Sequence, residues 1–268
     1  MATSTIHTPL AKTILGILGA GLASFFALYL FAAYVALPAY WRAYARSHPA
    51  MASAETRTKT SLGILGDPIN LAFVGTEDEL ITSAEHAGWT PADPITWRSS
   101  ARIAIDSATR KPYSSSAPVS DLFVWGRKQD IAFEKPFGPD PRQRHHVRFW
   151  KSSSVDASGR PLWLGAATFD KAVGVSHLTG QVTHHIDANI DKERDILAAD
   201  LAPSPNLHIE WFEGFQSDLK GKNGGGDPWF TDGRLCVLRF IPDSISDSAA
   251  AFFAPILDLL QPSYTSRR

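Results

Sequence analysis

The stretch "RQRHHVRFWKSSSVDASGRPLWLGAATFDKAVGVSHLTGQVTHHID", Arg142 to Asp187, decides the fold. Three runs in it alternate apolar and polar residues with the period of two that places successive side chains on opposite faces of a strand. Turn chemistry separates them: "DASG" at 156–159 and "KAVGVSHLTG" at 171–180. The runs at about 145–151, 161–169 and 181–187 therefore predict an antiparallel meander. With the first hairpin centred on 156–159 and the second near Val175, His145, His146 and His184 all lie opposite about Ala167. Four imidazoles then share one row near an end of the sheet. The outer strands stand two ladder spacings apart, about 10 Å, and Ala166 and Ala167 keep the middle strand small between them.

Alternation also splits each histidine pair. His145 shares a face with Val147 and Phe149, and His184 with Val182 and Ile186, which predicts that both face the core. His146 goes with Arg148 and Trp150, and His185 with Gln181 and Thr183, on a polar face. Three chemistries suit this set. A divalent metal held by His146, His185 and Asp187 would polarise a scissile group and activate water, with Asp170 or Glu193 as base. His145 and His184 would stand behind the ligands in buried hydrogen bonds. An anion or phosphate ester would instead be gripped by Arg142, Arg144 and Arg148, because guanidinium is the better fork for such groups. Hydrogen-bonded structural histidines beside a solvated arginine run is the third. None of the spacings matches a strict metal signature such as His-Glu-x-x-His.

Outward from this stretch, "PINLAFVG" predicts a short buried strand and "TEDELITSAEHAGW" a helix whose Thr76 and Glu79 are spaced as a capping box, with Gly88 ending it. "DLFVWGRKQDIAFEKPF" gives two strand-like pieces around Gly126. A helix is expected over 99–109, another from Asp191, and an apolar one in the closing "SDSAAAFFAPILDLL". "NLHIEWFEGF" and "RLCVLRFI" read as strands. The glycine-rich "KGKNGGGDPW" between them lacks the Lys-Ser/Thr ending of a phosphate loop and reads as a connector. Arg194, between Glu193 and Asp195, reads as part of a solvated helix turn, and Cys236 as a small core residue. The sum is an α+β domain with a mainly antiparallel sheet and a few helices.

The chain's 268 residues carry a net charge of −1, so no global field attracts nucleic acid, and one cysteine leaves no disulfide framework. From Ile14 to Leu37 no charge occurs, which is long enough for one transmembrane helix with some tilt. Pro38, Tyr40 and Trp41 follow, suiting an interfacial belt rather than a cleavage site. The expected organisation is a membrane anchor over 1–46, a tether over 47–66 and one domain over 67–262. Arg42 and Arg46 follow the helix and only Lys12 precedes it, so charge counting places the domain in the cytoplasm of a cell-membrane, single-pass protein. Gly16, Gly19, Gly21, Ala23 and Ala27 offer small-residue spacings for self-association or a protein partner.

From about Asp67 to Leu201, the ordered motifs "GDPINLAFVGTEDEL", "AGWTPADPIT", "LFVWGRKQDIAFEKP", "RQRHHVRFW", "GRPLWLGAATFDKAVGVS", "TGQVTHHID" and "DKERDILAADL" resemble the LssY C-terminal domain family. The resemblance implies that both histidine stretches belong to the domain's core motifs. It implies little about reaction: some relatives carry a lipid-phosphatase-type membrane region ahead of this domain, and its motifs have no counterpart here. Two functions are carried forward. One is a metal-dependent hydrolase; the other is a non-catalytic, membrane-associated module that binds an anionic lipid head group, a phosphate-containing small molecule or a protein partner.

Overall fold

A computed structural model of the protein describes residues 9–47, 56–92, 120–140, 142–156 and 159–241. The helices expected over 99–109 and in the closing apolar segment lie outside these residues. The chain begins with a long helix in three parts: α1 (Pro9–Phe31), one π-helical stretch (Ala32–Ala36) and α2 (Leu37–Ser47). Its Lys12–Ala43 portion is long and apolar enough to cross a membrane. Its large apolar side chains, among them Leu15, Leu22 and Phe25, are exposed, while Ala33 is buried.

The domain opens with β1 (Arg57–Lys59), β2 (Leu65–Pro68) and β3 (Leu71–Val74). Part of the expected tether is thus already sheet, because Arg57 and Lys59 pair with Pro68 and Leu65. Helix α3 (Glu77–His86) has the capping box, with Thr76 accepting from Glu79 N and Glu79 accepting from Thr76 N. Then come β4 (Thr90–Pro91), β5 (Phe123–Val124), β6 (Arg127–Lys128), β7 (Ile131–Pro136), β8 (Arg144–Val155), β9 (Pro161–Val175) and β10 (Val182–Ile186). Helix α4 (Ile190–Leu201), capped by Asn189, precedes β11 (Leu207–Phe212), β12 (Lys220–Lys222), β13 (Pro228–Phe230) and β14 (Leu235–Phe240). The main sheet runs β11-β14-β3-β9-β8-β7-β4, with β10 also pairing β9. Every pair is antiparallel except β14 with β3. A smaller sheet, β2-β1-β5-β6, lies apart.

Strict alternation explains why both faces of the main sheet are covered. Phe73, Val147, Phe149, Trp163, Ala167 and Leu238 point to one side and form a core with Leu80 of α3 and Leu197 and Leu201 of α4. Their chain neighbours Ala72, Val74, Trp150, Leu162, Leu164, Ala166 and Val237 point to the other, against Leu122 and Val124 of the small-sheet side. Cys236 belongs to the helix-side core, and burial pushes its thiol up to about 12. Arg194 departs from its expected solvation. Its side chain is fully buried across Trp211 at 4.8 Å and is held by Asp195 and Asp232, so its long apolar stem packs while its charge is met locally.

The meander forms, but its second half is shifted. His145 and His146 pair with Phe169 and Thr168, whereas His184 pairs with Val173 rather than a residue near Ala167. β9 continues through "KAVGV", and the turn is Ser176–Gly180, closed by Gly180 at φ +71°. Gly174 is not a turn glycine. A Cβ there would lie 2.4 Å from His185 Nε2, so its missing side chain makes room for that ring.

Candidate functional site

Along β8 and β9 the small-sheet face changes character. Past Trp150 and Leu164 the same side of the strands carries Arg148, His146, Arg144, Thr168 and Asp170, all buried. A cavity of about 570 Å³ opens over them. Asp67 and Ser120 to Phe123 form one wall, Asn223 to Gly225 another, and Ser176, Thr179 and the Gln181 to His184 stretch of the β9–β10 hairpin a third. Tyr34, Pro38 and Arg42 of the N-terminal helix stand at its remaining side.

The helix is held there by the β9–β10 turn. Tyr29 donates its hydroxyl to Gly180 O at 2.8 Å, Trp41 Nε1 donates to Leu178 O at 3.0 Å, and Ala33 packs under Gly180. The turn is itself braced, since Ser176 Oγ accepts from Leu178 N and Thr179 N and His177 N donates to Gly225 O. The glycine-rich segment is therefore a wall rather than a loose connector. A Cβ at Gly224 would lie 2.3 Å from the Thr60 side chain, so only glycine allows that approach.

Inside, charges are matched. Arg144 donates to Asp170 at 2.9 Å and Glu134 at 2.7 Å. Arg148 donates to Ser120 O and to His146 Nε2 and lies 3.4 Å from Asp67. Because a guanidinium cannot accept, His146 Nε2 must be the bare nitrogen; Thr168 then donates its hydroxyl to it at 2.8 Å. That leaves the proton on Nδ1, buried without a hydrogen bond and 3.3 Å from Asp170. Burial pushes Asp170 up, but His146, His184 and Arg144 outweigh it and hold the carboxyl well below its usual range. Burial, opposed by Asp170 and reinforced by Arg144, His146 and Arg148, pushes His184 down to about 4. Arg148 is lowered by burial against the pull of Asp67 and Asp170.

A β-bulge decides which histidine faces the cavity. His185 pairs with Ala172 but Ile186 with Asp170, so β9 carries one extra residue there. The alternation flips, and His184 joins the face of His146 and Asp170. His185 turns the other way and meets Asp227 Oδ1 at 2.7 Å. The other expected residues scatter. His145 lies on the core side among Trp89, Phe137 and Phe169, with Nδ1 2.8 Å from Glu193. Asp170 and Glu193 therefore occupy opposite faces of the sheet. Asp187 accepts from Asn189 N, and Arg142 closes on Asp140, away from the cavity. Sequence alternation brought out Arg144, Arg148 and His146; it missed Asp67, Arg42 and Asn223, which reach the cavity from distant segments. The one cue for Asp67 was its place at the start of a quoted motif.

A helix fit to cross a membrane, followed by an α+β domain whose half-open cavity, floored by buried charged residues, abuts that helix, defines a domain with a candidate membrane anchor. The family model for the LssY C-terminus matches residues 49–235, and the chain belongs to that family. No curated protein and no solved structure matches it.

Proposed function

We propose that the protein is a membrane-anchored binding module whose cavity receives the phosphate-bearing head group of a lipid. The observation that carries this reading is the position of the cavity along the helix. A hydrocarbon core of about 30 Å takes about 20 helical residues. Counted from Lys12, that length ends near Phe31. Tyr34, Pro38 and Arg42 then stand at head-group level, where they border the cavity. Arg144 and Arg148 are engaged by internal carboxylates, whereas Arg42 is exposed and makes no ion pair among the described residues. Arg42 is the first contact for an incoming phosphate; Arg148 and His184 lie behind it. Asp170 and Asp67 meet Arg144 and Arg148, and Asp121 pairs with Lys128, so Arg42 is the charge of the lining left to the phosphate. The positive-inside count keeps the domain on the cytoplasmic side. A hydrolase built on a metal in this cavity has less support, because the metal-spaced cluster among the described residues does not line it.

The test adds short-chain phosphatidic acid, and separately inorganic phosphate, to the detergent-solubilised full chain and counts bound ligand by native mass spectrometry. One phosphatidic acid should bind per chain, with inorganic phosphate much weaker. Arg42→Ala, at an exposed position, should weaken binding about tenfold, the worth of one charge-assisted hydrogen bond. No saturable binding by the wild type, or binding unchanged in Arg42→Ala, overturns the proposal. Phosphate binding as tightly as the lipid would make the site one for free anions.

A further inference from the structure

We infer that His177, His185 and Asp227 form a divalent-metal site of the zinc class, distinct from the cavity. One ligand atom from each of the three lies within 4.8 Å of the others. His185 Nδ1 is 2.7 Å and His177 Nε2 3.8 Å from Asp227 Oδ1, and the two rings stand 5.2 Å apart. Ligands around a tetrahedral ion at about 2.0–2.2 Å are separated by roughly 3.3–3.5 Å, so the set closes with shifts between a few tenths of an ångström and just over about 1 Å, the larger ones open to the exposed His177 side chain.

The three residues come from separate segments: His177 from the β9–β10 turn, His185 from β10 and Asp227 from the glycine-rich wall. Asp227 and His185 are fixed in advance, and His177 has its backbone N–H held by Gly225 O. Asp227 is buried, its backbone N–H donates to Asn223 Oδ1, and its Oδ2 accepts from Ile186 N. Only Oδ1 is left to face the imidazoles. The side chain of Asn223 is tied in turn to Asp67. The ring of His185 occupies the space vacated at Gly174, and the Cβ of His177 sits 2.8 Å from where a Cβ on Gly226 would be, at φ +87°. Gly174 thus seats the His185 imidazole, while Gly226 lets the chain at His177 approach the glycine-rich wall. The side chain of His177 is 65% exposed, which leaves the fourth coordination position to water. Two imidazoles and a carboxylate suit zinc and its neighbours; calcium and magnesium demand more oxygens.

None of the three lines the cavity. The site's consequence is mechanical, because it ties the turn that docks the N-terminal helix to β10 and to the glycine-rich wall. A bound ion should make that turn rigid and raise the melting temperature by mass action.

The experiment uses tag-free, detergent-solubilised full chain, stripped with chelator and titrated with Zn²⁺ against a chromophoric competitor. Stoichiometric, one-to-one binding is expected, and Co²⁺ in the same site should show the visible absorption of a tetrahedral centre. Outer-shell changes alone cost about 10- to 100-fold in metal affinity, so His177→Ala should lose on the order of 100-fold or more. Its exposed side chain makes that variant safe for folding, which circular dichroism checks. Asp227→Asn should also lose the site. His208→Ala, at an exposed histidine elsewhere, should bind as the wild type does. A wild type that takes up no stoichiometric zinc, or a folded His177→Ala with unchanged affinity, overturns the inference.

Discussion

Gly174 illustrates what a single residue can and cannot disclose. In sequence it sits between Val173 and Val175 in a segment that also holds Ser176 and Gly180, and glycine among such residues signals a turn. Two physical causes produce the same letter, however: a positive φ, as at Gly180, or a neighbour that needs the Cβ volume, as at Gly174. Only the packing of His185 tells them apart, and that packing depends on a partner strand. A Gly174→Ala substitution keeps the strand conformation but puts a methyl 2.4 Å from His185 Nε2, a distance that cannot stand. The ring must leave its seat, and its 2.7 Å hydrogen bond to Asp227 goes with it. Overpacking and the lost bond together should cost about 1–3 kcal/mol. Chemical denaturation measures this, and a variant as stable as the wild type would show that the ring has room to move.

At the scale of elements, alternation read the strands well and the connections poorly. Period two in "RHHVRFW" and "PLWLGAATF" correctly separated the helix-side core from the polar face, because side-chain direction on a strand is fixed by backbone geometry alone. The bulge opposite His185 and Ile186 is not encoded by composition, and one inserted residue exchanges His184 for His185 at the cavity. Arg194 was hidden for a similar reason. Its partner Asp232 lies in the turn before β14, far away in sequence, so a buried arginine resembled a solvated one. That link between α4 and the turn has a pH signature. Hydrogen bonds from Arg194, opposed by partial burial and aided by Arg234, hold the Asp232 carboxyl below its usual range. A folded pKa below the unfolded value of about 3.9 means stability that is complete above that pH and is lost as pH falls further. Asp232→Asn should therefore lower stability at neutral pH by about 1 kcal/mol, the surface position limiting the effect. Its stability should also fall less steeply than the wild type's between about pH 4 and 2. Thermal melts across that range give both quantities; parallel curves would mean that Asp232 titrates alike in both states.

For the whole molecule, the question is whether the N-terminal helix is part of the fold or a wall laid against it. The three buried apolar clusters draw no residue from it. Its described ties to the domain include two side-chain hydrogen bonds, from Tyr29 and Trp41, and the burial of Ala33 under Gly180. A domain that keeps both faces of its main sheet covered without the helix should fold without it. Removing residues 1–47 should therefore convert a membrane-bound protein into a soluble one with its β-rich circular dichroism intact and a melting temperature lower by only a few degrees, as roughly 1–2 kcal/mol of lost contacts would give. The same truncation takes Tyr34, Pro38 and Arg42 from the cavity, so phosphatidic acid binding should disappear while zinc binding at His177, His185 and Asp227 persists. Carbonate-resistant sedimentation of the intact chain with membranes, followed by both titrations on the truncated chain, tests this. An intact chain that fractionates as soluble would remove the anchor. A truncated chain that aggregates would show the helix to be structural, and lipid binding that survives truncation would move the head-group contact away from Arg42.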